Sequence, residues 1–392
     1  MTSLRIALVH SFYGSEAPSG ENEAVLAQAA ALGRAGHDVH LVAARTDELR
    51  ERSGYAARCA VTVATGRGRS PVRELRSFAP DVVHVHNLFP NFGRDWTSGW
   101  TGPLVTTLHN YRPLCAAATL YRDAGHCTSC LTGDRWAGLR HGCYRGSRTA
   151  TLPLAWAGRG GVAADPLLRR ADRVVVLSEL SRDTYARAGL PVGRTALIPN
   201  FVSPVDAPAA GPGSAWVYAG RLSPEKGIVD LLRKWPEGER LDVIGSGPME
   251  AACRAEAPAS VRFLGALGRE ELRRGLSAYR GLVFPSRCLE GVPLVYLEAL
   301  AAGLPVLALE GSTVPVLVRA EGTGHVVGWD TPLADSLRAA GRDFPALRER
   351  CREVYGQRYG EEAWVGATVR MYGQASGHGA GSLPSAIPVA AV

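Results

Sequence analysis

The sequence predicts two α/β domains, each a parallel sheet with helices on both faces, and three observations lead there. Short apolar β-type runs alternate with helical patterns almost from end to end, as βαβ units do when their crossovers cover a parallel sheet. At 392 residues the chain is longer than one ordinary core organises, so two domains of roughly 170 to 200 residues are expected. The alternation breaks once, from Phe201 to Gly213, in a Pro/Gly/Ala stretch without periodicity that reads as a linker. The resulting division is 1–200 and 201–357, with 358–373 as a closing helical segment. Residues 374–392, rich in Gly and Ser, read as a disordered tail.

The strands of the first half are expected at 6–9, 39–43, 82–85, 104–108 and 174–177, and those of the second at 216–219, 241–244, 261–264, 282–284 and 306–309. Ligands of open parallel sheets bind at the carboxyl ends of the strands, so the cleft between two such domains is the expected binding place. Pro18-Ser19-Gly20-Glu21-Asn22-Glu23 leads from the first strand into an amphipathic helix, and Gly20 marks that helix's N-terminus facing the cleft. An ordinary helix cap explains the same run. His86-Asn87 and His109-Asn110 end strands at the same edge, where an imidazole binds hydroxyls or steadies developing charge, or serves only as a structural hydrogen bonder.

In the second half, Gly220-Arg221-Leu222-Ser223-Pro224-Glu225-Lys226-Gly227 follows the first strand. Arg221 and Lys226 suit a diphosphate, with glycines that let backbone come close; alone, the run also fits a surface turn. Gly245 and Gly265 lie at the next two strand ends, where turn geometry competes with backbone access to a ligand. Glu290-Gly291-Val292-Pro293-Leu294 precedes a helix expected over 294–302, with Pro293 at its first position and Gly303 as its stop. Glu290 sits in the loop and Glu298 about one and a half turns into the helix. A helix N-terminus favours phosphate, and two acceptor-only carboxylates suit the hydroxyls of a ribose and a sugar. Two cations and two carboxylates on one sheet edge together describe a pocket for a nucleoside-diphosphate sugar.

Composition narrows the partners. The formal charge of +7 is moderate, and its arginines are scattered without the basic runs and interleaved aromatics that nucleic acid demands. No stretch approaches the roughly 20 apolar residues of a membrane span, and the N-terminus enters a strand pattern directly. A cytoplasmic protein is expected, with peripheral contact at the inner membrane face compatible with the charge. Cys59, Cys253, Cys288 and Cys351 are dispersed, whereas Cys115, Cys127, Cys130 and Cys143 are spaced C-x11-C-x2-C-x12-C within 110–148. Four thiolates at such spacing suit a tetrahedral structural zinc; disulfides or buried thiols are the alternatives.

These motifs resemble those of the family 4 glycosyltransferases, retaining enzymes of the GT-B fold in which two Rossmann-like domains face each other. The Glu-x7-Glu pair and the Gly-Arg-Leu-Ser-Pro-Glu-Lys-Gly run carry the resemblance, which extends from about Arg5 to about Tyr372. It implies that Arg221 and Lys226 bind the donor diphosphate, Glu298 the ribose and Glu290 the sugar hydroxyls. Gly20 would approach the phosphates, and His109 would contact the sugar near the reacting carbon, with His86, Asn87 and Asn110 on the acceptor side. The donor would be a UDP- or GDP-type sugar, the acceptor a hydroxyl on a polysaccharide, a lipid-linked intermediate or a secondary metabolite. No catalytic metal or cofactor is implied, and the last helix would return to the first domain. The Cys-containing segment looks like that of a bacterial subgroup. Where the family has Gly-Gly before the first helix this chain has Ser19-Gly20, and where it has Pro-Glu after the last strand this chain has Pro315-Val316. An epimerase or phosphorylase of similar fold, or a non-catalytic sugar-nucleotide binder, are the competing readings; acceptor dependence and turnover separate them.

Overall fold

A computed structural model describes residues 3–15, 19–131, 133–203 and 213–376 of the protein. Residues 204–212 of the expected linker 201–213 and the tail from 377 onward lie outside the described residues, while Phe201 and Val202, at the start of that linker, are buried.

The first domain is built on Arg5–Phe12 (β1), Asp38–Arg45 (β2), Val82–Asn87 (β3) and Leu104–Leu108 (β4). A two-stranded hairpin follows, Tyr121–Arg122 (β5) and Gly125–His126 (β6), and then Arg173–Val176 (β7) and Thr195–Leu197 (β8). Its parallel sheet runs β2-β1-β3-β4-β7-β8. The second domain carries Trp216–Ala219 (β9), Leu241–Ile244 (β10), Val261–Gly265 (β11), Leu282–Phe284 (β12), Val306–Leu309 (β13) and Gly324–Val327 (β14). Its parallel sheet runs β11-β10-β9-β12-β13-β14. This is the GT-B arrangement of two Rossmann-like domains.

The topology places the cleft. In the second sheet β9 and β12 are neighbours although two strands intervene in sequence, and in the first sheet β1 and β3 are neighbours although β2 intervenes. At such points the connections leave to opposite sides and open a crevice at the strands' carboxyl ends. The loop after β9 carries Arg221 and Lys226, the loop after β12 carries Glu290, the helix that follows β1 opens on Gly20, and Asn87 ends β3.

Burial explains why these segments are strands. Ile6, Ala7, Leu8 and Val9 are fully buried, as are Leu282, Val306, Leu307 and Ala308. Such continuous apolar runs fit a parallel sheet covered on both faces. Four strands escape sequence reading. The hairpin has two residues per strand, β8 is short and half-buried, and β14 opens on Gly324. A Cβ at Gly324 would lie 1.9 Å from the Val306 carbonyl oxygen, so close strand approach requires glycine there.

The helix Leu294–Ala301 starts at the expected Leu294 and ends one residue before the expected Ala302, and Pro293 is its N-cap, with ψ 137°, and not its first helical residue. The rigid φ of proline suits either place. The last helix among the described residues, Glu361–Ala375, packs Trp364, Met371 and Tyr372 on Ile6 and Leu8 of the first domain and on Phe201. It is fixed there by Arg34–Glu361 at 2.7 Å and by Tyr372 Oη against His84 Nδ1 at 2.7 Å. Disorder was expected from residue 374, but 374 and 375 are helical, because the apolar face of this helix continues to the sheet.

Candidate functional site

The second domain presents a charge-balanced pair. Lys226, in a single 3-10 turn held by Gly227, reaches Glu290 Oε1, which also accepts from Ser286 Oγ at 3.1 Å and Cys288 Sγ at 3.3 Å. Thr313 Oγ1 donates to the Glu290 carbonyl at 2.6 Å and fixes the loop backbone. Burial works against the Lys226 charge, but the Glu290 carboxylate outweighs it and the Lys226 pKa is raised. Gly227 cannot be replaced without strain: its φ is +67°, and a Cβ would meet the Pro285 carbonyl oxygen at 2.2 Å.

Glu290 leads through Gly291 and the buried Val292 to the start of the helix Leu294–Ala301, whose first amides have no intrahelical acceptor. Glu298 lies deeper. It is 3% exposed and accepts from Arg269 Nε at 2.7 Å; burial pushes its carboxyl up and the Arg269 guanidinium pulls it back. Arg221 is exposed, and its guanidinium has no hydrogen-bond or ion-pair partner among the described residues. Gly245 has a packing requirement of its own, since φ is +135° and a Cβ would lie 1.9 Å from the Gly220 carbonyl oxygen. Gly265, at φ +71°, faces open space.

The first domain contributes a cluster of imidazoles. His86 Nδ1 pairs with His109 Nε2 at 3.0 Å, His84 Nε2 with Thr107 Oγ1 at 2.7 Å, and His10 Nε2 with Asn22 Oδ1 at 3.0 Å. Burial holds His10 down to about 4 and His84 and His109 down to about 3. His86 is lowered as well, by burial and then by the adjoining imidazoles. At neutral pH these rings are uncharged, so His109 meets a ligand as a hydrogen-bonding group and not as a cation. Asn87 Oδ1 accepts from the Phe89 amide at 2.8 Å, and Asn110 Oδ1 from the Arg112 amide at 2.9 Å, so both asparagines also brace their own loops.

One interdomain cleft brings these groups together. Gly20, Glu21, His109 and Asn110 line it from the first domain, and Lys226 with Glu290 to Leu294 from the second. The approach is close. A Cβ on Gly20 would stand 3.5 Å from Leu294 Cδ1, and one on Gly291 would meet Leu177 at 2.7 Å. His86 and Asn87 line a neighbouring cavity of the first domain, while Arg221, Gly245, Gly265 and Glu298 are outside the walls of the cleft.

Sequence reading missed Glu21, which lines the cleft beside Gly20, and Arg269, the partner of Glu298. Glu21 stood in a run explained by helix capping, and Arg269 in a surface-like Arg/Glu helix. Neither position advertises a long-range contact. The β5–β6 hairpin was missed too, and it reaches across to the second domain. Tyr121 Oη donates to the Pro224 carbonyl at 3.3 Å, Arg287 Nη1 to the Ala124 carbonyl at 3.3 Å, and His126 Nε2 meets the Gly311 carbonyl.

Cys115, Cys127, Cys130 and Cys143 carry free thiols and line one small pocket at the base of that hairpin. Burial, and after it the neighbouring thiols, push Cys143 up; Cys130 moves the same way. Four soft sulfurs around one space match the donor set of a structural zinc. Among the described residues, however, no group of three or more His, Cys, Asp or Glu side chains stands in a metal-holding arrangement.

Residues 18–205 match Glycosyltransferase Family 4, and residues 214–342 match Glycosyl transferases group 1. A D-inositol 3-phosphate glycosyltransferase of Streptomyces scabiei is 33% identical over 196 residues, which is 48% of this chain and 43% of that protein. This relative and two others, an exopolysaccharide phosphotransferase of Streptomyces coelicolor and a GDP-mannose-dependent mannosyltransferase of Corynebacterium glutamicum, are matched over 43%, 23% and 42% of their own lengths, so the chain spans less than half of each. Among solved structures, sucrose-phosphate synthase from Thermosynechococcus elongatus superposes with a TM-score of 0.65 at 20% identity, covering 94% of this chain and 98% of the other. The Anabaena protein HepE in complex with UDP-glucose gives a TM-score of 0.58 at 15% identity, covering 93% and 99%.

Proposed function

Because the chain belongs to the family 4-like glycosyltransferases, we propose that it moves a sugar from a UDP- or GDP-type sugar to a hydroxyl acceptor, with retention at the anomeric carbon. The observation that carries this reading is the convergence of Lys226, Glu290 and a helix N-terminus with Gly20, His109 and Asn110 in one cleft. The neighbour that holds UDP-glucose supports the donor class.

In this reading the donor diphosphate takes Lys226 from its partner Glu290, which then turns its freed oxygen to the sugar hydroxyls. Arg221, with its unpaired guanidinium, joins the diphosphate. As the bond from anomeric carbon to diphosphate oxygen breaks and the bond to the acceptor oxygen forms on the same face, Lys226 and Arg221 stabilise the charge growing on the leaving group. That leaving group takes the acceptor's proton. The amides at Gly291 to Leu294 and at Gly20 meet phosphate oxygens. Gly245 and Gly265 give backbone access to the base, His109 donates or accepts near the reacting carbon as a neutral ring, and His86, Asn87 and Asn110 shape the acceptor side. Glu298 reaches the ribose from its Arg269 pair. Closure of the two domains keeps out the water that would hydrolyse the donor.

No helix among the described residues is long and apolar enough to cross a membrane. Peripheral contact with the inner membrane face is supported by exposed Leu152 and Trp156 on a helix flanked by Arg148 and Arg159. A structural zinc held by Cys115, Cys127, Cys130 and Cys143 would draw their sulfurs inward and set the hairpin that meets the donor loops. Metal analysis of protein purified without chelators is expected to find about one zinc per chain; only a trace would remove the zinc.

Lys226→Ala and Glu290→Ala test the site itself. Each is expected to lower kcat/KM for transfer by about 10²-fold or more, as loss of a preorganised charge contact does. Transfer at the wild-type rate in both variants would contradict the assignment.

A further inference from the structure

The strands that end at the cleft also roof a second space. A cavity of about 930 Å³, counting its open mouth, lies in the first domain between the ends of β3 and β4 and the helices Tyr55–Thr65 and Arg148–Gly158. Much of its wall is apolar, from Val63, Phe92, Leu154, Ala157 and Leu168. The charged pair it contains, Arg94 and Asp165, is closed on itself at 2.8 Å.

Where the cavity meets the cleft the lining turns polar, because Glu21, His109 and Asn110 border both spaces. There Asn110 Nδ2 donates to Glu21 Oε2 at 3.0 Å, while Glu21 Oε1 is shut off from solvent and has no hydrogen-bond partner. An unmatched buried carboxylate oxygen is costly, and a ligand donor would relieve it. Arg112 and Tyr13 face Glu21 from their own domain, and Glu225, Lys226 and Glu290 face the same cleft from the other. Burial raises the Glu21 carboxyl to about 7, while Asn110, Arg112 and Asn87 favour its charged form.

We propose that this cavity is the acceptor site, that it takes a hydroxyl compound with an apolar body, and that Glu21 Oε1 accepts the hydrogen bond of that hydroxyl. The proposal rests on the glycosyltransferase reading and narrows the acceptor class within it. The apolar wall accommodates the body of the acceptor, and the shared polar mouth turns its hydroxyl toward the donor. Polar oligosaccharides without an apolar portion find little to bind there.

Calorimetry with n-octyl β-D-glucopyranoside, below its micelle concentration, against maltotriose tests this on the full chain. The octyl glucoside is expected to bind at least about tenfold more tightly than maltotriose. Ala157→Trp, which fills the wall, is expected to weaken its binding by at least about tenfold with unchanged circular dichroism; Leu154→Phe serves the same purpose if that variant does not fold. Wild-type affinity is expected to rise several-fold from pH 6 to pH 8, as the carboxylate becomes the stronger acceptor, and to stay flat in Glu21→Gln. Equal binding by the wild type and the filled variants, as adsorption to exposed Leu152 and Trp156 would give, overturns the proposal; so does tighter binding of maltotriose. UDP-glucose and GDP-mannose are titrated separately into the wild type. Donor binding without octyl glucoside binding sinks the cavity assignment alone, whereas no binding of any UDP or GDP sugar sinks the glycosyltransferase reading with it.

Discussion

At the scale of single residues the cleft depends on carboxylates held in contrasting ways. Glu290 is matched by a lysine, Glu298 by an arginine, and Glu21 has one oxygen unmatched. The consequence for Glu21 is a pH-dependent penalty. Its folded pKa of about 7 lies above the ordinary 4.5, so the folded state resists ionisation. The penalty is absent below about pH 4.5, grows as pH rises, and is complete above about 7, where it reaches at most about 3 kcal/mol. Glu21→Gln is therefore expected to raise Tm at pH 8, with the gain shrinking toward pH 5 in melts across that range. A constant difference, or a loss at pH 8, would contradict the buried, strained carboxyl. The Lys226 and Glu290 motifs were legible in sequence because they sit in distinctive runs beside Pro and Gly. Glu21 was not, since a glutamate in the first turn of a helix is ordinary capping chemistry until the fold brings Asn110 and Arg112 against it.

At the scale of elements, strands and their order carry the site. The five strands expected in each half are all present, because a sheet buried on both faces needs unbroken apolar sequence. The short half-buried β8 and the glycine-led β14 lack that signal. Gly245 shows a motif read in two ways. Sequence suggests backbone access for a ligand, and the structure adds a strand end at which a Cβ would lie 1.9 Å from the Gly220 carbonyl oxygen. Gly245→Ala is expected to cost roughly 2 kcal/mol or more from strain and contact together, seen as a lower midpoint in urea. An unchanged midpoint would mean that the loop relaxes without cost. The helix Leu294–Ala301 illustrates the opposite case, with Tyr296, Leu297, Ala299 and Leu300 fully buried around the one acidic residue, Glu298. Its burial was not legible, because nothing local to the helix announces Arg269.

At the scale of the whole molecule, the helix Glu361–Ala375, which follows the second sheet, returns to the first domain through Trp364 and Tyr372. Trp364→Ala is expected to destabilise by about 3 to 5 kcal/mol, the usual cost of emptying a buried tryptophan site, and to uncouple the unfolding of the two domains in a thermal scan. A single unchanged transition would show that the helix contributes little. Domain pairing itself could be read from length and one break in periodicity, but the hairpin that spans the cleft could not, having only two residues in each strand. The central claim concerns the cleft: a nucleoside-diphosphate sugar binds between the domains on Lys226 and Glu290. Titration calorimetry with a panel of UDP and GDP sugars against the wild type and Lys226→Ala tests it most directly. Saturable binding of at least one sugar nucleotide by the wild type, weakened at least about tenfold in Lys226→Ala, is the predicted result. Binding of equal strength in the two proteins, or none by the wild type, would contradict the account.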